Sequence, residues 1–194
     1  MKKAFIINGH HYYSFSKGEL NKELARRIQE QLKAKGYECK YTHVDNEWNV
    51  EEELKKHMWA DVIIVQSPIN WMSVSWKMKK YMDEVYSAGM QGQLCKGDGR
   101  SKENPDGEYG SSGTLSTTKY MLSLTTNAPE TSFNNPDSFL FQGKSIDDLW
   151  FFMHVNFRFF GMKQIPTFTC YDVLKNPTIE QDFERLKQHI NNHF

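Results

Sequence analysis

Ala4-Phe5-Ile6-Ile7-Asn8-Gly9 and Val62-Ile63-Ile64-Val65-Gln66-Ser67-Pro68 are the stretches that decide the fold. Each is a short unbroken apolar run that stops at a turn-forming dipeptide. A strand with one wet face would alternate, so a continuous run implies a strand covered on both faces, as in a parallel sheet. Between them lies a segment of helical period: Leu20, Leu24, Ile28 and Leu32 recur every four residues among Lys, Arg, Glu and Gln. Lys35-Gly36 ends that helix with glycine at C′. Tyr37 to Val44 reads as a further strand. Asn49 opens a short helix with Glu52 three residues on and a stripe of Val50, Leu54 and Met58.

The same alternation continues beyond residue 68. Met78, Met82 and Val85 mark the inner face of a helix, with Lys77, Lys79 and Lys80 on its solvated side. Residues 89–114 are glycine-rich and poor in apolar side chains, so they form a long loop. Tyr120 to Thr126 and Ile165 to Tyr171 read as the fourth and fifth strands. Ile146, Leu149, Trp150, Met153, Phe157 and Phe160 form the helix between them, and Asn176-Pro177 opens the last helix, with Ile179, Phe183, Leu186 and Ile190 inward. Strands alternating with helices give an α/β domain, doubly wound, with a five-stranded parallel sheet and helices on both faces. One such domain accounts for all 194 residues.

Charge and cysteine content narrow the function. Basic and acidic side chains number 24 each, so the formal net charge is zero. Nucleic-acid modules carry a basic excess or stripe, which argues against that class. Cys39, Cys95 and Cys170 form no closely spaced pair, arguing against structural zinc and a redox dithiol and fitting a reducing cytoplasm. Cys95, in the long loop, is the thiol expected to be exposed. No signal-peptide core or membrane-span-length apolar run is present.

In doubly wound sheets ligands bind beyond the carboxyl ends of the strands. After the first strand comes Asn8-Gly9-His10-His11-Tyr12-Tyr13-Ser14-Phe15-Ser16-Lys17-Gly18-Glu19-Leu20-Asn21, a polar loop entering a helix N-terminus, which favours phosphate. It matches neither the dinucleotide nor the P-loop fingerprint. A capping box between Ser16 and Glu19 explains the same residues equally well. Adjacent His10 and His11 make a poor metal pair, and polar loop contacts are the simpler reading. Ser67-Pro68-Ile69-Asn70-Trp71-Met72 would form a flat apolar wall, and Thr125-Thr126-Asn127-Ala128-Pro129 a set of hydrogen-bonding groups beside it. A wall beside donors and a phosphate cradle suits a flavin. Asp147-Asp148 and Glu51-Glu52-Glu53 fall in first helical turns and read as structural.

At these positions the chain resembles the flavodoxin-like NAD(P)H:quinone reductases of the modulator of drug activity B type. The similarity is carried by Phe5–Gly9, Ser16–Asn21 (SKGELN), Trp59–Val62, Pro68–Trp71, Trp76–Asp83, Asp98–Arg100, Tyr109–Gly113, Lys119–Pro129 and Gly161–Phe168, in order along the chain. The resemblance implies bound FAD rather than FMN, NADPH or NADH as hydride donor, a quinone acceptor reduced by two electrons in ping-pong fashion, and a homodimer with active sites near the subunit interface. It places Ser16, Gly18, Leu20 and Asn21 at the FAD phosphates, with His10 loosely matched. Pro68, Ile69, Asn70 and Trp71 line the ring, and Thr125, Thr126, Asn127 and Ala128 hold its polar edge. Tyr109 stands nearby from the long loop, and Trp71 and Tyr109 carry the catalytic roles. The match departs at Ile69-Asn70, Ser73, Ser112-Gly113 and Thr126, so the acceptor side is reshaped more than the phosphate side. An azoreductase or free-flavin reductase on the same fold is the neighbouring alternative, and a flavodoxin-type electron carrier that does not oxidise NAD(P)H is a more distant one.

Aromatic residues make up 14% of the chain. They cluster at Tyr12/Tyr13/Phe15, Trp71/Trp76, Phe139/Phe141 and Trp150–Phe160. The second cluster is expected at the flavin wall, and the last in the core and on a dimer face.

Overall fold

A computed structural model describes residues 1–194. Strands β1 (Lys2–Asn8), β2 (Tyr37–His43), β3 (Val62–Pro68), β4 (Lys119–Thr125), β5 (Lys163–Gln164) and β6 (Phe168–Cys170) form one parallel sheet. Its order is β2-β1-β3-β4-β5, with β6 also pairing β4. This is the flavodoxin-like doubly wound order, whose switch point lies between β1 and β3.

Side-chain alternation within the apolar runs decides which helix covers which face. Ala4, Ile6, Val62 and Ile64 meet helices α1 (Glu19–Ala34) and α6 (Ile179–His193) through Leu24, Ile28, Leu32, Leu186 and Ile190. Phe5, Ile7, Ile63 and Val65 point the other way, toward α2 (Val50–Trp59), α3 (Trp76–Ala88), α4 (Ile146–Leu149) and α5 (Phe151–Phe159). Two apolar layers on one sheet require the unbroken runs seen in β1 and β3.

Several expected boundaries shift, each for a local reason. The fifth sheet position is split, because Pro166 cannot donate to the ladder: β5 pairs Lys119 and Tyr120, and β6 resumes beside Ser123. The helix expected over residues 146–160 divides at Trp150. The last helix begins at Ile179 with Thr178 at its N-cap, not at Asn176-Pro177. In α2, Asn49 accepts from the Glu52 N–H as expected. Met58 is exposed, however, and Glu53, Leu54 and His57 face inward. The Glu53 carboxylate is satisfied by Thr42, Lys56 and the Tyr81 hydroxyl. Cys95 is fully buried rather than exposed, since the 89–114 loop folds on itself through the bridges Gln91–Lys96 and Cys95–Gly113. No helix is long and apolar enough to cross a membrane.

Candidate functional site

The carboxyl ends of β1, β3 and β4 converge on the loops singled out above. Gly9 N–H donates to Gln66 O at 2.8 Å, and Ser75 Oγ, the N-cap of α3, donates to Gly9 O at 2.8 Å. These bonds lock the β1 loop against the start of α3.

The expected capping box does not form. Gly18 is the N-cap of α1, with φ +78° and no side-chain cap. Ser16 instead pairs back to Tyr13 through two backbone hydrogen bonds. The first bond into the helix runs from Lys22 N–H to Gly18 O, leaving the Glu19, Leu20 and Asn21 N–H groups without backbone acceptors. An uncapped helix start of this kind offers free N–H donors to an anion. A Cβ on Gly18 would overlap the His10 ring, so the cradle is shaped for glycine. The buried His10 ring faces Ser16 Oγ at 3.5 Å, and burial, with His43 alongside, holds its pKa below the ordinary value. His11 turns away to pair with Asp45, so the two histidines do not converge.

Asn21 and Thr125 stand beneath the site rather than lining it. Asn21 Nδ2 donates to Thr125 Oγ1 at 3.2 Å, Gln66 Nε2 to Asn21 Oδ1 at 2.8 Å, and Ser123 Oγ to Gln66 Oε1 at 2.7 Å. All four residues are buried. The network ties α1 to β3 and β4, joining the uncapped start of α1 to the loops that follow those strands. Gln66 and Ser123 escaped sequence reading, although each is a polar residue inside an otherwise apolar strand.

The ring loops face one another across a cleft of about 270 Å³ lined by Ile69, Trp71, Met72, Leu140 and residues 126–128. Ile69 N–H donates to Thr125 O, while Asn70 and Ser73 exchange two backbone hydrogen bonds around Trp71 and Met72. Both turn residues have positive φ, +46° and +63°. Two bulky residues in the left-handed region are strained, and such strain collects at ligand sites. The turn holds the Trp71 side chain 97% exposed at the cleft rim. Thr126 is fixed from both sides: its N–H donates to Cys170 O, and its hydroxyl accepts from Ala128 N–H. Trp71, Met72 and Asn127 N–H groups have no backbone acceptor. Pro68 ends β3 behind them.

Tyr109 is not at this mouth. It packs edge-on against Phe159, with ring centroids 5.6 Å apart, and lies under the Arg100 guanidinium. It lines a separate hollow of about 410 Å³ with Tyr86, Met90, Val155 and Phe160. The C-terminal ends of α3 and α5 are there, at the sheet edge where the strands begin. The loop cannot carry Tyr109 to the mouth of its own chain without leaving these contacts.

The uncapped start of α1, the Trp71 turn and the free N–H groups of the two loops thus meet at the switch point of the sheet. The chain belongs to the flavodoxin-like fold family, which it matches over residues 2–194. It is 40% identical over 185 residues to the NADPH:quinone oxidoreductase MdaB of Haemophilus influenzae, covering 95% of each chain. It is also 40% identical over 192 residues to an uncharacterized Schizosaccharomyces pombe protein, covering 99% of this chain and 97% of that one. Solved structures share the fold. The NAD(P)H:quinone oxidoreductase of Methanothermobacter marburgensis superposes with a TM-score of 0.69 at 14% identity, covering 98% of each chain. An FMN-dependent NADH-azoreductase from Bacillus anthracis, in complex with FMN, gives 0.71 at 12% identity, covering 99% of each.

Proposed function

We propose that this chain is a flavin-dependent NAD(P)H:quinone oxidoreductase, a cytoplasmic homodimer in which residues 1–194 form one flavin-binding unit. The observation that carries this reading is the junction of the uncapped α1 N-terminus with the Trp71 wall, fixed by the Asn21–Thr125 bond. The 40% identity to a relative named as an NADPH:quinone oxidoreductase supports it.

A bound flavin supplies two-electron chemistry between a nicotinamide and a quinone. The chain's own groups bind and orient. The Glu19, Leu20 and Asn21 N–H groups and Ser16 Oγ would hold the phosphate, with Gly18 leaving room for the His10 ring beside them. Pro68, Ile69, Asn70 and Trp71 form one wall of the ring site. The free N–H groups of Trp71, Met72 and Asn127, set in place by Thr125, Thr126 and Ala128, stabilise negative charge on the polar edge. Trp71, on the cleft rim, would border the surface that donor and acceptor share in turn, the arrangement expected of ping-pong kinetics. In this reading the flavin is FAD, with FMN as the alternative, and the hydride donor is NADPH or NADH.

Tyr109 acts from a second copy. Met90, Val155 and Phe159 sit beside Tyr109 and supply an apolar face for that copy. The absorbance spectrum of the purified protein, with the released flavin identified, tests the reading. Bound FAD is expected; a colourless protein that takes up no flavin would refute it.

A further inference from the structure

The loop that carries Tyr109 is closed by Asp98. The Asp98 carbonyl accepts Gly110 N–H at 2.7 Å, and its Oδ1 accepts Arg100 N–H at 2.9 Å. Gly99 lets the two sides of the loop meet: its φ is +89°, and a Cβ there would fall 2.6 Å from Glu108 O. At the base, Lys96 N–H donates to Ser112 O at 3.0 Å and Ser112 Oγ to Gly97 O at 2.6 Å. Backbone groups and short side chains make all of these bonds.

The Arg100 side chain stands outside that closure. Its Nε and Nη2 both donate to Asp98 Oδ2, at 3.0 and 2.7 Å, and its Cζ lies over the Tyr109 ring, 5.2 Å from the centroid. An ion pair as exposed as this one contributes little to stability. Its effect is geometric. The carboxylate fixes the guanidinium, the guanidinium covers one face of the tyrosine ring, and Phe159 meets the same ring edge-on at 5.6 Å. Tyr109 is thus held from two sides and yet stays 68% exposed. A ring fixed in place and left open to solvent is set for a task outside its own fold.

Resting on the reading that Tyr109 acts in the site of a second copy, we propose that Arg100 is the positioning residue for that tyrosine. Clamped by Asp98, it holds the ring in one orientation, so that the hydroxyl reaches the flavin edge of the other copy already aligned. Arginine suits the task because a planar guanidinium pairs with a carboxylate and lies against an aromatic face at once. A lysine ammonium is a point charge on a flexible stem and fixes neither plane.

The test follows quinone reduction by the flavin-loaded enzyme in Arg100→Met, Arg100→Lys, Tyr109→Phe and the variant combining Arg100→Met with Tyr109→Phe. A group misplaced by an ångström costs up to about 10²-fold in rate, so Arg100→Met should lower kcat by about tenfold and move KM by less than about twofold. Arg100→Lys should fail to restore kcat, and it serves in place of Arg100→Met should that variant not fold. Once Tyr109→Phe has removed the hydroxyl, Arg100→Met should cost less than about a further twofold. Melting temperature and sedimentation should match wild type in both Arg100 variants. A wild-type kcat in Arg100→Met, full rescue by Arg100→Lys, or the same fold loss with and without the Tyr109 hydroxyl would overturn this role for Arg100 alone. A loss of rate accompanied by a lower melting temperature or by dissociation would also overturn it, making Arg100 a structural residue. A wild-type rate in Tyr109→Phe would overturn the reading of Tyr109 itself, and the role of Arg100 with it.

Discussion

The side-chain amide of Asn21 donates to the hydroxyl of Thr125 at 3.2 Å, joining the first turn of α1 to the end of β4 across 104 residues of sequence. Gln66 and Ser123 complete the chain of bonds from below. One buried network thus fixes the distance between the start of α1 and the loops after β3 and β4.

Replacing Gln66 with Leu should therefore act on both stability and ligand binding. It leaves the Ser123 hydroxyl without its buried partner and the Asn21 oxygen with only the Thr125 hydroxyl, at a cost of about 1–3 kcal/mol. Urea denaturation measures that loss. Titration of apoprotein with FAD should show weaker binding, because α1 and β4 are no longer held in register. An unchanged FAD affinity would make the network purely structural.

Gly18→Ala should be more severe at the cradle than its size suggests. The new Cβ meets the His10 ring, and φ +78° is itself unfavourable for alanine by about 1–2 kcal/mol. Loss of flavin from the purified variant, read as the ratio of visible to protein absorbance, is the expected outcome.

Trp71→Gly should separate stability from function. The side chain is almost fully exposed and its backbone is left-handed, so glycine relieves strain and stability holds or rises by up to about 1 kcal/mol. Acceptor turnover should nevertheless fall. Thermal denaturation beside quinone reductase kinetics checks both halves.

His57 should dominate part of the acid limb of stability. Burial depresses its pKa from 6.5 to about 4, with Nδ1 directed at Glu53 O at 2.8 Å and Nε2 lacking a partner. The unfolded chain binds a proton more readily than the folded one between these values, so stability is full above pH 6.5 and falls as pH drops toward 4. The loss amounts to about 3 kcal/mol. His57→Leu should flatten urea stability over that window.

Sheet order aside, the fold was legible because β1 and β3 had to satisfy two apolar layers and could not alternate. The wall at Pro68–Trp71 and the cradle at Ser16–Asn21 were legible as loops at strand ends. What escaped depended on three-dimensional neighbours. Ser16-x-x-Glu19 has capping-box spacing, yet Tyr13 captures the Ser16 backbone and Gly18 becomes the cap. Asp147 looked like a dipole residue, yet it accepts from His154 Nε2 at 3.1 Å, and His154 Nδ1 lies 2.8 Å from the Tyr120 hydroxyl. Tyr109 carries a family motif in sequence, but its contacts place it at the far edge of its own sheet.

That placement has a direct consequence. Val155→Asp puts a charge on the apolar face beside Tyr109 and should convert the proposed dimer to monomers in sedimentation, with quinone turnover lost and flavin retained.

In the proposed reaction, two electrons pass from a nicotinamide to a quinone through a bound flavin. Anaerobic rapid mixing of the purified protein with NADPH, followed by a second mixing with menadione, tests it most directly. The account expects the flavin colour to bleach in the first step and return in the second, each at least as fast as steady-state turnover. A flavin that stays oxidised in NADPH, or that stays bleached in menadione, would contradict it.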